Sequence, residues 1–233
     1  PKKHNRFNEE TLNKLKIQLQ GDSKDLIESY LLTDCRNMIK IDEILKNFNE
    51  IKENILLNLK RLVEEKSVYE TSSGYLHMKK YEDFKYKILK IVNEYHIKNK
   101  LRKGIVKAEL LSKFKNNQKE IIAILDLMIS NKNLEIDNNF ISLFDFKIKY
   151  DVNQIKHKNR MEKSLLESEF LPIGIKELTQ GSKEAIEVLE SLIGSTIVRL
   201  DGDIVIHEKV LKEAKSKFLN HLKNNKKILL SEF

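Results

Sequence analysis

Three hairpin turns recur along this chain, near Ser72, Asn138 and Gly202, about 65 residues apart. Each separates two short runs rich in β-branched and aromatic residues. The runs are Val68-Tyr69 and Tyr75-Leu76, then Leu134-Glu135-Ile136 and Phe140-Ile141-Ser142-Leu143, then Thr196 to Leu200 and Asp203 to Ile206. Asp201-Gly202 is a strong two-residue hairpin signal. Helical periodicity precedes every hairpin. A chain that repeats helices followed by a hairpin is predicted to fold as tandem winged-helix (helix-turn-helix plus wing) domains. The expected class is mainly α with small β-hairpins, in an elongated array.

The predicted units are residues 1–78, 79–150 and 151–207, with 208–233 opening an incomplete fourth. In the first, Asn8 to Gln20 reads as a helix closed by Gly21, and Asp22 or Ser23 caps the next. Ile41 to Phe48 is a short helix, and Asn49 starts a longer one to about Lys66. In the second, Phe84, Ile88, Ile91, Val92 and Tyr95 share one helical face, and the helix is expected to end near Tyr95-His96. A basic link leads to Gly104, a short helix opens at Lys107, and Lys119 to Asn131 is the third helix. In the last full unit Val152 to Phe170 is a long helix stopped by Pro172. Ile175 to Gln180 is short, and Gly181-Ser182 breaks and caps before Lys183 to Ile193. The junctions near Met78–Tyr81 and Tyr150–Val152 lack Gly and Pro, so they are expected to pack.

The run Tyr95-His96, Asn99, Leu101-Arg102, Gly104, Lys107 and Glu109-Leu110 resembles the second C-terminal winged helix of the bacterial selenocysteine-specific elongation factor. That family's pattern is roughly Y-H-x-x-N-P-L-R-x-G-[IM]-x-K-E-E-L. The chain departs from it at Lys100, where the family has Pro, and at Ala108, where an acid is usual. Arg6-Phe7 through Leu31-Leu32 resembles the opening of the family's first such domain. Lys227 to Phe233 resembles the entry to its last. The resemblance implies an mRNA-binding and spacer region. The family's last winged helix grips an mRNA hairpin that marks a stop codon for selenocysteine. The earlier ones link it to an upstream GTPase body that delivers selenocysteinyl-tRNA at the ribosome. The resemblance places GTP and Mg with that body, and no cofactor in this chain. The chain begins with Pro1 and opens a further unit at its end, so it is expected to be a piece of something longer.

The net charge of +8 is uneven. Residues 77–119 hold 13 Lys+Arg against 4 Asp+Glu, and residues 205–233 hold 7 against 3. Those blocks are where a polyanion would bind, or they are simply solvated Lys-rich surface. The candidate RNA contacts are Lys98, Lys100, Arg102, Lys103, Lys223, Lys226 and Lys227. His96 falls at a helix end, where the dipole favours an imidazolium, and is expected to cap it and tie down the loop to Gly104. Tyr69 and Tyr75 are expected to form a cross-strand pair, with base stacking as the other use.

No glycine is followed by lysine, so the chain contains no phosphate loop of the G-x-x-x-x-G-K-[ST] kind. One Cys and six scattered His give no zinc spacing. No nucleophile or carboxylate pair stands out, and no catalysis is expected. The single Cys35, with no signal peptide or membrane-length apolar run, leads to the expectation of a cytoplasmic monomer with no membrane partner. Two other readings compete. One is a DNA-binding regulator that inserts third helices into the major groove. Glu184, Glu187 and Glu190 on one such helix, and Glu120 and Asp126 on another, argue against it. The other is a protein-interaction scaffold, which those acidic helices would suit.

Overall fold

The computed structural model describes residues 21–114 and 117–225. They repeat one order three times: helix, short strand, helix, helix, hairpin. The first copy is α1 Ser23–Thr33, β1 Met38–Ile39, α2 Ile41–Asn47, α3 Lys52–Glu64, β2 Val68–Thr71 and β3 Gly74–His77. The second is α4 Met78–Lys98, β4 Ile105–Val106, α5 Lys107–Ser112, α6 Gln118–Ser130, β5 Leu134–Asp137 and β6 Phe140–Leu143. The third is α7 Val152–Glu167, β7 Ile173–Gly174, α8 Ile175–Thr179, α9 Lys183–Leu192, β8 Ile197–Asp201 and β9 Ile204–His207. A further helix, α10 Glu208–Asn225, follows. In every copy the two-residue strand pairs antiparallel with the second hairpin strand, giving orders β1-β3-β2, β4-β6-β5 and β7-β9-β8. This is the winged-helix plan, used in tandem.

Local chemistry explains the helix starts. Asp22 accepts from the Asp25 N–H at 2.9 Å, which satisfies an orphan donor of α1. Asp151 accepts from Asn153 and Gln154, while Gln154 reaches back to the Asp151 N–H, a capping box on α7. Ser182 caps α9 through the Ala185 N–H. The exits of α3 and α6 are built alike. Lys66 and Lys132 take left-handed backbone, and the next residues donate back to Leu62 O and Met128 O. That closes each helix as a Schellman turn, with lysine where glycine is usual.

Several boundaries differ from the sequence reading. α4 runs on to Lys98, past Tyr95-His96, because His96 is buried as part of its inward face. α3 starts at Lys52, with Ile51 instead of Asn49 at the cap. α7 ends at Glu167, well before Pro172, because Glu169 turns left-handed. Tyr69 and Tyr75 are not a pair. Tyr69 lies opposite Leu76 and Tyr75 opposite Glu70, so the two rings point to opposite faces. Tyr69 packs on Tyr81, with ring centroids 4.6 Å apart, and Tyr75 donates to Glu70 at 3.3 Å. The expected helix from Asn8 to Gln20 lies outside the described residues, as do the first part of the stretch from Arg6 to Leu32 and the stretch Lys227 to Phe233 that resemble the family.

The described residues fall into two compact units. One holds the chain up to Ile97 together with Gly104–Phe146. The other holds Lys98–Lys103 together with the chain from Lys147 onward. In the first unit, Ile27, Ile39, Ile44, Ile55 and Leu59 form one core. Ile88, Val92, Ile105, Ile121, Ile124 and Ile141 form another, joined by Met38 and Leu76 of the preceding hairpin sheet. In the second unit, Met161, Leu165, Val188, Leu189 and Val205 are buried together, and Leu101 packs against them.

Candidate nucleic-acid interface

The basic segment after α4 is shaped by its neighbours as much as by its charge. The Arg102 N–H donates to Asn99 O at 2.9 Å, closing a tight turn. Leu101 turns inward to the core that holds Met161 and Leu165. Lys103 is half-buried, and its Nζ donates to the carbonyl of Gly194 at 3.1 Å. Lys103 is therefore a structural anchor of this turn, a role its place in a charge run does not reveal. Lys98, Lys100 and Arg102 are exposed. None of these three has a side-chain hydrogen bond or ion pair among the described residues. Three cations held on one short turn can meet phosphates without first giving up a protein partner.

Gly104 closes the turn. A Cβ there would lie 2.7 Å from the backbone carbon of Ile141, with the carbonyl oxygen closer still. Only glycine lets the chain approach β6 closely enough for Ile105 to pair with Ile141.

His96 is not the charged cap that its position suggests. It is 5% exposed, and its ring stacks on Phe146 with centroids 3.5 Å apart. Nε2 accepts from the Leu143 N–H at 3.4 Å, so the neutral tautomer carries its proton on Nδ1. Nδ1 is buried and has no partner among the described residues. Burial pushes this imidazole below its ordinary 6.5, overriding the helix dipole. The unfolded chain therefore takes up the proton first as pH falls. Stability is expected to be intact above about 6.5 and to be lost progressively on acidification below it. Urea midpoints at pH 7.5 and 5.5 check this against His96→Gln, which keeps an acceptor for Leu143. An equal acid loss in both proteins would reject the role.

On α10, Lys223 is exposed, while Lys226 and Lys227 lie outside the described residues. Lys212 and Lys217 pair with Glu208 at 2.8 Å and Glu213 at 3.0 Å, which takes charge off this helix. Beside it is an apolar cavity of about 590 Å³, lined among others by Phe170, Leu200, Leu211 and Phe218. No signal in the sequence pointed to it, because its walls come from three separate segments.

The third helices offer little to a phosphate backbone. On α9, Glu190 meets Arg199 at 2.6 Å and Glu184 lies 3.8 Å from His157, leaving Lys183, Ile186 and Glu187 outward. On α6, Glu120 accepts from Asn37 at 2.7 Å, and Asp126 is exposed. No helix among the described residues is long and apolar enough to cross a membrane.

A search of curated proteins found no match. Among solved structures, the chain is similar to the crystal structure of a bacterial selenocysteine-specific elongation factor, EF-Sec, at 20% identity and a TM-score of 0.44. That alignment covers 96% of this chain but only 34% of the other, so the chain spans about a third of that protein's length. Residues 89–143 match the family model described as elongation factor SelB, winged helix. The matched stretch begins within α4, takes in the turn to Gly104, and closes at the last residue of β6. At these residues the chain carries a winged-helix domain that matches the elongation factor SelB family.

Proposed function

We propose that this chain serves as an mRNA-binding and spacer region of a selenocysteine-specific translation factor in the cytoplasm. The observation that carries the reading is the match at residues 89–143, which contains the three exposed cations of the turn before Gly104. The partners in this reading are an mRNA hairpin and the ribosome. Selenocysteinyl-tRNA, GTP and Mg²⁺ would belong to a GTPase body that this chain does not contain, and the chain itself performs no catalytic step. The anionic partner is read by charge: Lys98, Lys100, Arg102 and Lys223 make phosphate contacts that carry no sequence information. The acidic, internally paired face of α9 disfavours the DNA-regulator alternative, because a major-groove helix must lie against phosphates.

Gel shifts with a stop-codon hairpin, a scrambled hairpin and duplex DNA test the proposal. Both RNAs are expected to bind weakly and alike at 50 mM salt and to be released by about 200 mM, where several phosphate contacts lose orders of magnitude in affinity. Absence of binding at low salt, or preference for duplex DNA, would overturn it.

A further inference from the structure

The joint between a hairpin and the helix that follows it is built twice with the same parts. His77 ends β3 opposite Val68, and His207 ends β9 opposite Ile197. The next residue donates to the carbonyl just ahead of the hairpin in both: Met78 to Ser67 at 2.8 Å and Glu208 to Thr196 at 2.9 Å. In both, the imidazole Nδ1 accepts the N–H two residues on, from Lys79 and from Lys209, each at 3.1 Å. Both rings are buried, at 3% and 4% exposure. The hairpin of the second copy has the same backbone bond, Phe144 to Asn133 at 3.2 Å. There the corresponding position is Leu143, and no helix follows directly. An imidazole thus sits where the chain passes straight from strand to helix, filling the acceptor role that Ser, Asp or Asn usually has at a helix start.

An imidazole differs from those residues in one respect: it can lose its acceptor within two pH units of neutrality. We propose that His77 is an acid-sensitive latch on the first turn of α4, where the first winged helix runs into the second. Neutral, it accepts from Lys79 and holds the turn closed. Protonated on Nδ1, it has no lone pair for that N–H and places a cation at the positive end of the helix. The groups facing it pull both ways. Glu28 of α1, with Oε1 3.5 Å from Nε2, favours the charged form, while Lys79 and Lys80 of α4 oppose it. Burial opposes it most, so the latch stays shut at neutral pH and opens below His77's ordinary value.

Amide exchange of residues 79–82, followed by NMR from pH 7.5 down to pH 5 and referred to the intrinsic rate at each pH, tests this. Exchange in the wild type is expected to rise about fivefold on acidification, the size of a lost cap. His77→Asn keeps an acceptor that does not titrate and should abolish the rise. Glu28→Gln should move the midpoint to lower pH, because it removes the carboxylate that supports the charged ring. A rise of the same size in His77→Asn, or none in the wild type, would overturn the latch, as would an unmoved midpoint in Glu28→Gln.

Discussion

Gly104→Ala is expected to destabilise the protein by about 3 kcal/mol or more, the upper end of what overpacking costs. The methyl group would meet backbone, not a side chain that can swing away: Ile141 C lies 2.7 Å from it. Relief requires β4 to move off β6, which breaks the pairing of Ile105 with Ile141 and loosens two residues that are 0% exposed. Gly174→Ala is the matched control in the third copy. Its Cβ would have nothing within 4 Å, and its φ of −68° suits any residue. That change is expected to be neutral or to stabilise by up to about 1 kcal/mol, through a less flexible unfolded chain. Urea unfolding of both variants decides the point. Equal midpoint shifts would show that close approach at Gly104 is not what requires glycine.

Replacing Lys98, Lys100 and Arg102 together by Ser should separate binding from folding. All three are exposed, so each change should alter stability by no more than about 0.5 kcal/mol. Lys103 stays in place because its bond to Gly194 anchors the turn. If all three cations neutralise phosphates on duplex-like RNA, the salt slope should fall by about 2.7, at roughly 0.9 per contact. At about 0.15 M salt that is a loss on the order of a hundredfold in affinity. Hairpin titrations at several salt concentrations give both quantities. Unchanged affinity and slope would mean that the turn is only a solvated surface.

Much of the fold was legible because it rests on short-range patterns. The spacing of Ile88 and Val92 marks an inward helix face, and both are buried. Asp22 and Ser182 announce helix starts because a short side-chain acceptor satisfies a backbone donor within three residues. The turns at Asn138 and Gly202 take the positive φ that these residue types tolerate. The motif from Tyr95 to Leu110 lies within the stretch that the family model matches.

What the pattern could not carry depends on contacts distant in sequence. β1, β4 and β7 have two residues each, too few to show alternation, and they exist as strands only because β3, β6 and β9 are there to pair with them. Lys66 and Lys132 end helices in left-handed backbone, a conformation that lysine does not advertise. His96 and Lys103 lie in a polar, basic stretch, yet one is buried on Phe146 and the other is bonded to a carbonyl 91 residues away. A sequence shows which residues carry charge. Burial decides which charges remain available, and burial is set by the packing of segments far apart in the chain.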